Sequence, residues 1–102
     1  MEKDVILLNA MRWNKPEKNS TGTRISLVLA TREDMSNSDN FTGFPVVDCF
    51  YETTETFSKV KSDLLGTPLK GTFKPVPQKS NPLKINNVLS EIITKNGVIS
   101  LL

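Results

Sequence analysis

Thr53-Thr54-Glu55-Thr56-Phe57-Ser58-Lys59-Val60-Lys61-Ser62-Asp63-Leu64-Leu65, followed by Gly66-Thr67-Pro68, is the stretch whose reading decides the fold. Phe57, Val60, Leu64 and Leu65 recur at spacings of three, four and one, which gives a helix one apolar stripe to bury. Lys59 and Lys61 lie off that stripe. Thr53 or Thr54 supplies a capping hydroxyl, and Glu52 and Glu55 suit the positive end of the helix dipole. Gly66 is a natural left-handed terminator, and Pro68 prevents continuation. One helix, Thr53 to Leu65, is therefore expected in the middle of the chain.

On either side the chain reads as strands. Val5–Trp13 is apolar on both parities at its start, as in a strand buried there on both faces. Asn14 to Gly22 is rich in small polar residues, with Pro16 and Gly22, and reads as a nine-residue loop. Long hairpin loops often carry function. In Thr23–Arg32, Ile25, Leu27 and Leu29 share one face. Arg24, Ser26, Val28, Ala30 and Arg32 share the other, lightly built face, which suits binding more than a core.

Glu33 to Asn40 is a polar loop, with a turn at Thr42-Gly43. In Phe44–Tyr51, Val47, Cys49 and Tyr51 alternate with Val46, Asp48 and Phe50. Asp48 is costly inside a core, so Val47 and Cys49 point inward and Phe50 lies on the open face. A bulge reverses parity, so Tyr51 stays a second candidate for that face.

After the helix, Pro68–Val76 places Leu69, Gly71 and Phe73 on one face and Lys70, Thr72 and Lys74 on the other. Pro75 and Pro77 fit an edge or an exit. Gln78 to Pro82 is a turn with Lys79 at its tip, and Pro82–Ile92 is the next strand. Asn96-Gly97 then turns the chain into a short apolar last strand. Its end is expected to pack on the body or on a second copy.

Three strands, a helix and a hairpin are the element order of a five-stranded Greek-key barrel of the oligonucleotide-binding kind. A mainly β, single domain over residues 1–102 is expected, with room for an additional C-terminal strand.

Composition removes whole classes of chemistry. Cys49 is the only cysteine and histidine is absent, so one chain can form neither a disulfide nor a Cys/His zinc site. Cys49 lies in an apolar run, where a free cysteine behaves as a small buried hydrophobe. Without histidine the commonest general base is missing. No Ser/His/Asp or Cys/His set, phosphate-binding glycine loop or enforced carboxylate pair is present. A non-enzymatic protein without a cofactor is expected. No apolar run approaches the ~20 residues of a membrane span. Met-Glu-Lys-Asp is not the start of a signal peptide, so the expected location is cytoplasmic.

Net charge is only +2, but its distribution is uneven. Glu33 to Glu55 holds six acids and no bases, whereas Lys59 to Lys95 holds seven lysines against Asp63 and Glu91. These lysines fit either an ordinary solvated surface or a basic face that tracks phosphates. A single strand of nucleic acid needs cations along a groove and flat side chains on which bases stack. Trp13, Phe50, Tyr51 and Phe73 are the candidate platforms, and Phe73 shares a parity with Leu69 that favours the core. Trp13 lies between Arg12 and the loop of Lys15 and Lys18, as on a strand-binding rim. It fits equally well as a plug at the end of the core. Lys15, Lys18, Arg24, Lys70, Lys74 and Lys84 are the candidate phosphate contacts, with Arg12 beside them. The alternative is a small β-barrel adaptor that binds a protein partner through an apolar edge or its last strand.

Three segments carry a family resemblance: Thr21–Val28, Phe44–Tyr51 and Leu64–Phe73. Their layout resembles small oligonucleotide-binding-fold, single-stranded-DNA-binding proteins of phages and mobile elements. Examples are the filamentous-phage helix-destabilising proteins and related proteins of Gram-positive phages and plasmids. The resemblance implies cooperative, largely sequence-independent binding of single strands; the expected partner is single-stranded DNA, with RNA left open by the sequence. It also implies replication, recombination or transfer of a phage or plasmid genome, and a homodimer or higher homo-oligomer.

Overall fold

The structure is a computed structural model that describes residues 2–78, 81 and 83–102. In chain order it has β1 (Glu2–Lys15), β2 (Ser20–Leu29), β3 (Ser36–Asn37), β4 (Thr42–Gly43), β5 (Val46–Tyr51), α1 (Glu55–Lys59), β6 (Pro68–Pro77), β7 (Ile85–Thr94) and β8 (Gly97–Ser100). Six of the strands form one antiparallel sheet in the order β5-β2-β1-β6-β7-β8, and β3-β4 is a separate two-stranded arm. The expected turn at Gln78–Pro82 with Lys79 at its tip lies partly outside the described residues.

β1 holds the sheet together because it serves two partners. Glu2–Ile6 pairs with β6, and Val5–Lys15 pairs with β2. The β1–β2 register shifts between Leu7 and Asn9, a bulge that bends and twists a strand. It also corrects the expectation that the start of β1 is buried on both faces. Val5 and Leu7 are fully buried, while the bulge turns Leu8 out to solvent.

The alternation holds in β2, β5 and β6, but the β6–β7 register shifts between Thr72 and Phe73, so β7 buries Val88, Leu89 and Ser90 in succession and leaves Ile85 exposed. Ile25, Leu27, Cys49, Phe73, Leu89 and Ile92 point into one apolar core with Val5 and Leu7. Burial pushes the Cys49 thiol pKa up, so it stays protonated and inert. Leu101 closes this core: its N–H donates to the Ser90 carbonyl at 2.8 Å, and its own carbonyl accepts from the buried Thr56 hydroxyl at 3.1 Å. The apolar C-terminus therefore packs on the body.

Three further expectations are corrected. The sheet is not closed into a barrel: among the described residues no ladder joins β5 to β7. A side chain spans that gap, since Tyr51 Oη donates to the Leu89 carbonyl at 2.6 Å. The loop expected over Asn14–Gly22 is much shorter, because both strands run on to a tight Pro16–Lys18 turn. Asn19 closes the turn in left-handed conformation at φ 49°.

The third correction is the helix. It covers only Glu55–Lys59, and Ser62–Leu64 makes a separate short 3₁₀ turn. Thr, Ser, Asp and β-branched Val are weak helix formers, and short helices are marginal without tertiary support. Tertiary pairing favours extension here. Leu65 bridges Leu7, and the Gly66 N–H donates to the Leu7 carbonyl at 2.9 Å. Val60, Leu64 and Leu65 still pack on the core, from two short turns in place of one long one. Thr54 occupies the N-cap position without a side-chain cap, and the Thr53 hydroxyl just before it accepts the Glu55 N–H at 3.1 Å. Gly66 takes the left-handed backbone at φ 79°.

Candidate nucleic-acid interface

Strand register decides which side chains share the outer face. Met11 lies opposite Arg24, and Arg24 opposite Phe50. Asn9, Ser26 and Asp48 form the next row, and Trp13 lies opposite Gly22. Because Gly22 has no side chain, the Trp13 ring can pack against the β2 backbone there. A Cβ on Gly22 would come within 2.5 Å of both the ring and the Tyr51 carbonyl. The ring thereby reaches β5, where it meets Phe50 edge-on with centroids 6.4 Å apart and planes at 66°. Trp13 Nε1 donates to Ser20 Oγ at 3.0 Å, which fixes the ring. Trp13 is outside the core cluster, so it does not plug the core.

Around this pair lies a shallow groove of about 420 Å³, lined by Met11, Trp13, Lys15, Lys18, Ser20, Arg24 and Phe50. Phe50 stands 61% exposed at its edge. Lys15, Lys18 and Arg24 form no ion pair among the described residues. Arg24 Nε is buried and has no hydrogen-bond partner. Such unmatched donors are rare in proteins and call for a physical cause.

Phe50 also borders a second trough, of about 620 Å³. Asp48 and Glu52 line one side of it, and Val76, Gln78, Asn86 and Asn87 of the β6–β7 hairpin line the other. Asp48 Oδ1 accepts a hydrogen bond from Ser26 Oγ at 2.6 Å. Among the described residues no cation lines this trough. The two depressions differ in charge and share one exposed aromatic ring.

Of the residues singled out in the sequence, Trp13, Lys15, Lys18, Arg24 and Phe50 come together here. The others do not. Arg12 alternates to the opposite face, where its guanidinium stacks 5.2 Å from the centre of the Phe57 ring on α1. Tyr51 is a correction: it is only 3% exposed, and its hydroxyl is used across the gap between β5 and β7. Burial also raises its pKa, so the phenol stays neutral.

Lys70 is ion-paired with Asp4, whose hydrogen bond and charge raise the lysine pKa. It lines a different groove, between the Ser62–Leu64 turn and β8. Lys74 is exposed on β6, opposite Val88. Lys84 is exposed at the foot of the β6–β7 connection, where its carbonyl accepts the Gln78 N–H at 2.8 Å.

Met11, Ser20 and Gly22 were missed. Met11 shares a parity with Trp13, and that signal was present in the sequence. Gly22 and Ser20 needed the hairpin register. Among the described residues no cluster of His, Cys, Asp and Glu is placed to hold a metal, and no helix is long and apolar enough to cross a membrane. Comparison with protein-family models, curated proteins and solved structures finds no match to this chain.

Proposed function

We propose that this protein binds single-stranded DNA, without selecting base sequence, on the outer face of β1, β2 and β5. The observation that carries the proposal is the groove in which Trp13 and Phe50 meet beside unpaired Lys15, Lys18 and Arg24. Aromatic faces stack on any base, and cations along the same groove track the backbone. The sheet order supports an open version of the oligonucleotide-binding barrel, in which β2, β5 and the two hairpin connections form the binding side. Phosphates would follow the basic β1–β2 hairpin. Bases would face the Asp48 side, where carboxylates repel phosphate but amide groups can meet base edges. The biological setting that fits is replication, recombination or transfer of a phage or plasmid genome.

A second reading has its own support. Met11, Val46 and Phe50 are exposed apolar groups on this face, and such patches also mark protein partners. Salt distinguishes the two. Phosphate contacts release counterions and weaken steeply with salt, whereas an apolar protein contact changes little. The test is fluorescence-anisotropy titration with labelled oligo-dT, oligo-dA, an RNA strand and a duplex, at two salt concentrations. Tight single-strand binding that weakens with salt is expected. Failure of every single strand to bind at low salt would refute the proposal and leave the adaptor.

A further inference from the structure

Two surfaces remain that the proposed interface does not use, and they are complementary. The first is the β3–β4 arm, which pairs with no strand of the main sheet. The arm and its flanks carry Met35, Phe41 and Phe44, which are 37%, 46% and 39% exposed. Several large exposed apolar groups on one short segment outside the main sheet signal an unmet contact. The charges there are acidic beyond Arg32: Glu33, Asp34 and Asp39. Asp34 is engaged by Lys3 and Thr31 at the root of the arm, whereas Glu33 and Asp39 form no ion pair among the described residues.

The second surface is the groove of about 830 Å³ between the Ser62–Leu64 turn and the β7–β8 hairpin. Leu64, Leu69, Ile93 and Ile99 line it, and Val98 stands exposed on its rim. Three lysines border it, Lys61, Lys70 and Lys95, against one acid, Asp63. Lys70 is bound to Asp4, and neither Lys61 nor Lys95 has an ion pair among the described residues. An apolar groove with a basic rim fits an acidic segment with large apolar side chains. The arm of this same chain has that composition.

We propose that the groove of one copy receives the β3–β4 arm of the next. Phe41 and Phe44 would cover the apolar walls, each ring able to bury roughly 150–250 Å². Asp39 and Glu33 would meet Lys61 and Lys95. Because two different patches meet, the contact is head-to-tail, and such contacts extend into open chains unless a rotation closes them. On a nucleic-acid strand, that arrangement would make neighbouring copies bind cooperatively. The contact itself does not depend on the DNA proposal.

Sedimentation velocity at rising protein concentration, without nucleic acid, tests it. The wild type should form species larger than a dimer, growing with concentration and shrinking with added salt. A groove variant, Lys61→Glu with Lys95→Glu, and an arm variant, Asp39→Lys with Phe41→Ala, should each stay monomeric. Mixed in equal amounts they should form one heterodimer and nothing larger, since each retains one working half. Circular dichroism checks the fold, and Lys61→Gln with Lys95→Gln replaces a groove variant that does not fold. A wild type that stays monomeric throughout would overturn the proposal. So would a dimer that both variants retain, which would indicate edge-to-edge pairing of β8 instead. Either result leaves single-strand binding to be judged by its own titration.

Discussion

Replacing Trp13 with alanine should lower DNA affinity by the same factor at every salt concentration. Under the proposed function the ring supplies a stacking surface and no charge, so its loss should remove ~1–3 kcal/mol for one stacked base. That corresponds to a Kd raised about five- to 150-fold. The salt dependence comes from other side chains. The three cations of the groove are Lys15, Lys18 and Arg24, and each contributes about −0.7 to the slope of log affinity against log salt on a single strand. The wild-type slope should therefore be about −2, or roughly a 20-fold loss between about 50 and 200 mM salt. Trp13→Ala should give a parallel line displaced downward, while Lys18→Gln should flatten the slope by about 0.7. Anisotropy with labelled oligo-dT across several salt concentrations reads both quantities. The Trp13–Phe50 contact adds ~0.5–1.5 kcal/mol to the fold, so urea unfolding should show a weakened but folded variant. Trp13 is the only tryptophan, so all indole emission reports from this groove and should be quenched or shifted by DNA. Wild-type affinity for Trp13→Ala at every salt, with no emission change on binding, would refute the stacking role.

Other consequences follow from single contacts. Gly22→Ala pushes a methyl group against the Trp13 ring and the Tyr51 carbonyl. It should cost about 1–3 kcal/mol, lower the melting temperature and change the near-UV circular dichroism of the tryptophan; an unchanged spectrum would contradict the close packing of the ring on Gly22. Tyr51→Phe removes the hydroxyl that reaches the Leu89 carbonyl and should cost about 1–3 kcal/mol in urea unfolding, with DNA affinity unchanged. Lost affinity at full stability would return Tyr51 to the interface. Asp34 is held below its ordinary pKa of 3.8, first by the Thr31 hydroxyl and then by Lys3. Its folded form favours the carboxylate, so this stabilisation is present above that ordinary value and disappears as pH falls through the lowered one. Asp34→Asn should flatten the acid side of the stability curve, and Thr31→Val should do so in part, as read from urea midpoints across the acid range.

Much of the candidate groove was legible in the alternation of strands. Met11, Trp13 and Lys15 share a parity, and Asp48 forced Phe50 outward because a carboxylate is not left in an apolar core. Arg12 was grouped with Trp13 because the two are adjacent, yet adjacent strand residues face opposite ways, and Arg12 went to α1. Tyr51 failed as a platform because parity alone placed it inward, and no bulge in β5 reversed that. Gly22 and Ser20 were hidden by loop length. Their positions opposite Trp13 and Lys15 depend on a four-residue turn closed by left-handed Asn19.

By itself the sequence determined a mainly β fold, the facing of β2, β5 and β6, a buried Cys49 and the left-handed backbone at Gly66. These follow from local sterics and from the period of two along a strand, which need no knowledge of distant partners. Tertiary structure alone decided how long the helix is, whether the sheet closes, and which aromatics meet. The apolar spacing of Phe57 to Leu65 fits one helix or two short turns. Leu7 decided between them by bridging Leu65 and accepting the Gly66 N–H. Closure depended on how β5 approaches β7, where the Tyr51 hydroxyl reaches across the gap to the Leu89 carbonyl. Trp13 reaches Phe50 only because β2 presents a glycine between them, a coincidence of register across three strands.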